Sequence, residues 1–106
     1  MSNYLAANSI TTKQIVVTDA NSTPVAGMVS GNSIPTELTG NGWNSSNPDG
    51  IRIFAGQRPD SGNIADAKFT VDSNGNVKMD GTITVSGTLL VADNAQFAGG
   101  INTSGI

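Results

Sequence analysis

From Gly75 onward the chain repeats every six residues, reading GNVKMD, GTITVS, GTLLVA, DNAQFA and GGINTS before a closing Gly105-Ile106. Gly opens the hexad at 75, 81, 87, 99 and 105, and Asp93 replaces it once. The third place holds Val77, Ile83, Leu89, Ala95 and Ile101, and the fifth holds Met79, Val85, Val91, Phe97 and Thr103. Side chains two residues apart on a strand point to the same side. Each hexad therefore reads as a brief strand with one apolar face, while fourth-place residues such as Lys78, Thr84, Gln96 and Asn102 point away. Leu90 is the one apolar residue among those outward places. The recurring Gly suits a bend between brief strands, through positive φ or close backbone approach.

This tract constrains the fold because it does not hold itself together. The apolar side chains of one tract do not offset the backbone entropy of ordering it, and a single copy offers few partners for its strand edges. Three copies around a common axis bury each apolar face against two neighbours and pair those edges. The sequence thus predicts a homotrimer whose axis is lined by Val77, Met79, Ile83, Val85, Leu89, Val91, Phe97 and Ile101.

Upstream, no window keeps a helical apolar period free of Gly, Pro and β-branched clusters, so helix is expected to be minor. Strands are predicted at Gln14 to Thr18, Val25 to Val29, Ile51 to Ala55 and Lys68 to Val71, with turns between. Asp19 to Pro24 separates the first two, and Ser30 to Gly50, rich in Asn, Ser and Gly, reads as a long loop. A loop of that length usually carries a role or moves. The expected architecture is all-β: an intertwined homotrimeric β-fibre with a triple-stranded, β-helix-like shaft over 69–106. A loop-rich β region with Trp43 covers 31–68, and an N-terminal attachment or β region covers 1–30.

Composition narrows the function classes. The 106 residues allow one ordinary domain, and charged residues are only 12%, whereas a disordered chain is normally highly charged. The net charge of -3, with Lys and Arg scattered singly, gives no basic stripe for a phosphate backbone, so nucleic acid is not expected as a partner. There is no Cys and no His. Disulfides and thiolate metal sites are excluded, and every Ser and Thr lacks the usual activating base. No run approaches the length of a bilayer span, and Met1 to Ala7 lacks a basic region followed by an apolar stretch. The expectation is a non-enzymatic chain without cofactor, metal, membrane insertion or export signal of its own.

The segment VKMDGTITVSGTLLVADNAQFAGGI resembles the Gly-Thr-Leu-Thr-Val type repeats in the shafts of bacteriophage tail fibres. Ile51-Arg-Ile-Phe-Ala-Gly56, followed by Ala67-Lys-Phe-Thr-Val-Asp-Ser-Asn-Gly-Asn-Val77, is similar to a pattern in phage tail-tip and fibre proteins, where a Phe-x-Val-Asp strand enters a Gly-containing turn before the shaft. The resemblance covers roughly the second half of the chain. Bacterial trimeric adhesins contain β repeats of the same sort. What the resemblance implies is a structural virion protein of a tail fibre, baseplate or neck appendage, assembled in the host cytoplasm and contacting other virion tail proteins. It also implies a polarity, with the N-terminal part on the virion and the distal part toward the host.

Two other functions compete. Trp43 with Asn44, Asn47 and Asp49 in the 31–50 loop offers an aromatic face and nearby polar groups, a possible site for a host surface glycan; the competing reading packs Trp43 against Phe54 and Ile51. A polysaccharide hydrolase needs two acids at a defined separation, and Asp49, Asp60 and Asp66 all fall in or beside loops. Asp72-Ser-Asn-Gly-Asn76 has the opening of a calcium loop without its distal acidic ligand, and Asn74-Gly75 between apolar alternations is a hairpin signal. Hexapeptide repeats also build the left-handed β-helices of acyltransferases. Here Asp80 and Ser86 intervene between apolar residue and Gly, the tract is too short for two coils, and the His those enzymes generally use is missing.

Overall fold

The computed structural model describes residues 8–102. Residues 1–7 of the expected attachment region, and Thr103 and Gly105 of the repeat, lie outside the described residues. Five strands form one antiparallel sheet in the order β1-β2-β3-β4-β5: β1 Gln14–Thr18, β2 Pro24–Val29, β3 Ile51–Ala55, β4 Phe69–Asp72 and β5 Val77–Met79. The described chain is thus mostly β, with a single helical turn, α1 at Thr36–Thr39, and a 3₁₀ turn at Ile64–Asp66. Each strand is a short run rich in β-branched or aromatic residues, which fit a pleated surface. The four strands expected upstream of the repeat agree to within a residue at each end.

Local chemistry sets the two tight turns. The Asp19 carboxylate accepts from the backbone N–H of Asn21 (2.8 Å) and Thr23 (3.0 Å), closing the β1–β2 connection. Asp72 does the same between β4 and β5, accepting from the backbone N–H groups of Asn74 and Asn76, both at 2.9 Å. Gly75 sits there at φ 81°, a left-handed conformation that glycine adopts without steric cost. The turn chemistry is therefore that of a hairpin, as Asn74-Gly75 predicted.

The two faces of the sheet have different fates. On one, Val16, Gly27, Phe54 and Thr70 line up across β1 to β4. This face is covered by the 30–50 connection and the segment before β4, which contribute Leu38, Trp43, Ile64 and Ala67 to a core shared with Val29, Ile51 and Phe54. Gly27 lies beneath the Phe54 ring, where an added Cβ would come within 2.8 Å of Phe54 Cε1 and 2.7 Å of the Ile15 carbonyl oxygen. A register shift between Ile51 and Ile53 turns Ile51 inward beside Phe54, where strict alternation would leave it on the far face.

Among the described residues, no layer covers the other face. One register row runs Ile15, Met28, Ile53, Val71, Val77; the next runs Val17, Ala26, Ala55, Phe69, Met79. Both rows cross the whole sheet without a polar side chain. Val17, Met28, Ile53, Val77 and Met79 are exposed.

Two features bear on the expected shaft. The region read as shaft from Phe69 onward begins as the last two strands of the sheet, because β4 pairs with β3 and β5 with β4. Beyond Met79, no described residue belongs to a strand, although the hexads predict one each. The physical reason is that a strand ladder needs a neighbour, and one copy of the tract has none within reach. The chain is elongated as a result, with extents of 58 × 34 × 28 Å and a radius of gyration of 17.1 Å, against about 13 Å for a compact domain of about 100 residues.

Candidate functional site

The repeat is visible in the conformation even without a ladder. Bends fall at 80–81, 86–87 and 92–93, and a turn at 98–99, so the backbone bends at the sequence period. Exposure repeats too. Third-place Val77, Ile83, Leu89 and Ile101 are 63–69% exposed, while fifth-place Met79, Val85 and Val91 are 39–46% exposed and Phe97 58%, and Leu90 at the fourth place reaches 85%. All the residues assigned to a trimer axis, Phe97 included, are thus open to solvent in the single chain.

Three of the glycines that open hexads meet no visible need among the described residues. Gly81, Gly87 and Gly99 are absent from the positive-φ glycines, unlike Gly75 and Gly100. A Cβ added at Gly87 or Gly99 would meet nothing within 4 Å, and one at Gly81 only the Met79 sulfur at 3.8 Å. Of the two roles that sequence allows a repeated glycine, positive φ is therefore not the one these three use.

The loop residues considered for glycan binding do not converge on an open surface. Trp43 is 4% exposed and packs its indole against the Phe54 ring, with centroids 5.1 Å apart at 56°. Asn47 is buried, and its amide is fully engaged: Nδ2 donates to the carbonyls of Gly31 (3.0 Å) and Ile51 (2.9 Å), and Oδ1 accepts from the Ile51 N–H at 2.9 Å. It pins the covering loop to the start of β3. Asn44 and Asp49 remain exposed, Asn44 donating from Nδ2 to the Ser61 carbonyl at 3.2 Å. The sequence alone reads Asn47 as a surface amide, because nothing in a run of Asn and Ser marks which one turns inward.

Of the acids, Asp60 and Asp66 line one shallow polar depression of about 410 Å³ with Arg58 and Lys68, and Asp49 lies elsewhere. Asp66 accepts from the Ser61 hydroxyl at 2.7 Å, and all three carboxylates are exposed. At Asp72 the carboxyl pKa is lowered from its ordinary value. Hydrogen bonds from the Asn76 N–H first, then the Asn76 side chain and the N–H groups of Asn74 and Gly75, hold it below its ordinary value despite some desolvation. Among the described residues, no group of three or more acidic, His or Cys side chains is placed to hold a metal ion, and no helix is long and apolar enough to cross a membrane.

Comparison with protein-family models, curated proteins and solved structures finds no match to this chain. The surfaces without a partner are what the molecule has to offer: an uncharged sheet face and a regular, exposed apolar tract.

Proposed function

We propose that the chain is a non-catalytic structural module that works as a homotrimer, its hexad tract forming the shaft of a virion appendage such as a phage tail, baseplate or neck fibre. The observation that carries this reading is the solvent exposure of Ile83, Val85, Leu89, Val91, Phe97 and Ile101 in a chain that otherwise builds a covered core. Large apolar residues at fixed spacing, left in water, mark an association surface. The repeated Gly81, Gly87 and Gly99, which no contact within the chain requires, are explained by close approach of neighbouring copies.

Three copies suit the tract better than two. A strand has two edges, and in a closed ring of three each copy finds one neighbour on either side. The role is mechanical: a stiff, sparsely charged shaft that links other virion proteins to a distal end facing the host. That virion setting comes from the resemblance of the hexads to tail-fibre shafts.

Light scattering on the full chain tests the proposal. Three chains per particle are expected, with an elongated profile in small-angle scattering. A stable monomer at micromolar concentration would overturn it.

A further inference from the structure

We infer that the uncovered face of the five-stranded sheet is itself a contact between copies, packing against the same face of the neighbouring subunits, so that the trimer axis runs through the sheet region as well as the tract. This rests on the self-association proposed above and extends it to residues that the tract alone does not involve. Three observations point to a second copy as the occupant.

The first is continuity. Val77 and Met79 are at once the third and fifth places of the first hexad and the last members of the two apolar register rows. The side of the repeat that is apolar in the tract is therefore the same side of the chain that is apolar in the sheet. A neighbour packed on the third and fifth places of the tract therefore begins on two residues of the sheet face.

The second is charge. The two rows, from Ile15 to Val77 and from Val17 to Met79, contain no polar or ionisable side chain. The opposite side of the sheet carries Gln14, Thr70 and Lys78, and Lys78 donates to the Ala65 carbonyl there. Lys13 and Arg52 border the rows at one end, beside Ile15, Met28 and Ile53, so it is the apolar part of the face that asks for an uncharged partner surface, and the same rows of an identical copy supply one.

The third is size. Strands about 4.8 Å apart, with same-side residues about 6.6 Å apart along each, give this face on the order of 300 Å². A stable complex takes roughly 800 Å² from each partner, so the sheet face is too small to bind a separate protein firmly. Joined to the tract, it becomes one end of a single long interface between copies.

The absence of cysteine makes the test clean. Ile53, at the centre of the face, and Glu37, on the covering layer, are replaced singly as Ile53→Cys and Glu37→Cys in the full chain, and native mass, maleimide labelling and spin-label distances are measured on each. The expected result is three chains per particle for both variants. The thiol of Ile53→Cys should label at least about tenfold more slowly than that of Glu37→Cys, because reaction requires the interface to open. Spin labels on Ile53→Cys should lie on the order of 10–20 Å apart, as sheets packed about 10 Å face to face dictate. Three chains with fast labelling of Ile53→Cys would overturn this inference and leave the shaft proposal standing. Slow labelling with well-separated spin labels would mean that a tract rather than a sheet covers the face, and would overturn it too. A single chain per particle would remove both readings together.

Discussion

The sheet region, 14–79, and the tract, 80–102, are written in nearly the same residues, yet only the first acquires tertiary structure within one chain. Both alternate Val, Ile and Thr with turn formers. In the sheet region each strand finds an antiparallel neighbour, and one face receives a lid carrying Leu38, Trp43 and Ile64. In the tract the backbone bends at the sequence period, but no neighbour and no lid exist among the described residues. A regular local conformation is thus encoded by the hexads themselves, whereas a ladder and a core depend on what else is in reach. The sheet stands between these extremes, with one face closed by its own chain and one left open.

The sharpest way to break this contrast is to place charge on each side of the tract. Val85→Asp sets three carboxylates near the proposed axis, each costing several kcal/mol when removed from water unpaired, so the native mass should fall to that of one chain. Thr84→Asp, one residue away on the outward side, should leave the trimer intact. Both positions are exposed in the single chain, so neither change should shift single-chain stability by more than about 0.5 kcal/mol. Equal effects on assembly would show that the tract does not have the faces assigned to it.

Phe54→Ala asks the reverse question, whether the sheet region owns a core. Phe54 is fully buried over Gly27 and against Trp43, and truncating such a ring typically costs about 3–5 kcal/mol. Urea unfolding followed by the fluorescence of Trp43, the single tryptophan, should report that loss. A loss under about 1 kcal/mol would mean that the lid contributes little beyond cover.

Asn47→Ala sharpens the same point at a polar contact. The substitution strands the Ile51 N–H and removes a donor from the Gly31 and Ile51 carbonyls, at a cost of about 2–3 kcal/mol. Amide exchange at Ile51 should accelerate ahead of global unfolding. If Ile51 exchanges as in the parent protein, the loop is held by Trp43 and Leu38 and not by the amide.

The strands were legible because their signals are local: β-branched runs such as QIVVT and turn chemistry at Asp19 and at Asn74-Gly75. The faces were harder. Ile15-Val16-Val17 and Ile53-Phe54-Ala55 are apolar on both sides, so alternation cannot say which side is covered; that depended on a lid built from a long connection with no period of its own. Leu38 sits in a single helical turn, too short to show a helical repeat. The packing reading of Trp43 was available from its size and its distance along the chain from Phe54. Asn47 was not, since its role is defined by carbonyls at Gly31 and Ile51 that only the folded loop brings together.

The smallest effect is expected at the joint between the two regions. Asp72 closes the β4–β5 hairpin through its carboxylate, and hydrogen bonds from Asn76 above all hold its pKa below the ordinary 3.8. A carboxyl whose folded pKa is depressed contributes stability that is fully present above its unfolded pKa and lost as pH falls through the folded value. Between neutrality and about pH 5 the hairpin should therefore not respond, since an unperturbed aspartate near 3.9 is still ionised there. Below the ordinary aspartate range, the amide signals of Asn74 and Asn76 should shift and their exchange quicken as the acceptor is protonated. Trp43 fluorescence should change less over the same interval, because the turn meets the covering layer through the backbone, the Ser73 N–H donating to the Gly50 carbonyl at 2.8 Å, and not through the Asp72 carboxylate. Asp72→Asn keeps an acceptor oxygen for both N–H groups while removing the titration, so it should retain the hairpin and abolish the response to acid. Asp72→Ala removes both. A midpoint for the two amides at or above 3.8, or an unchanged acid response in Asp72→Asn, would show that the carboxylate is not what fastens the sheet to the tract.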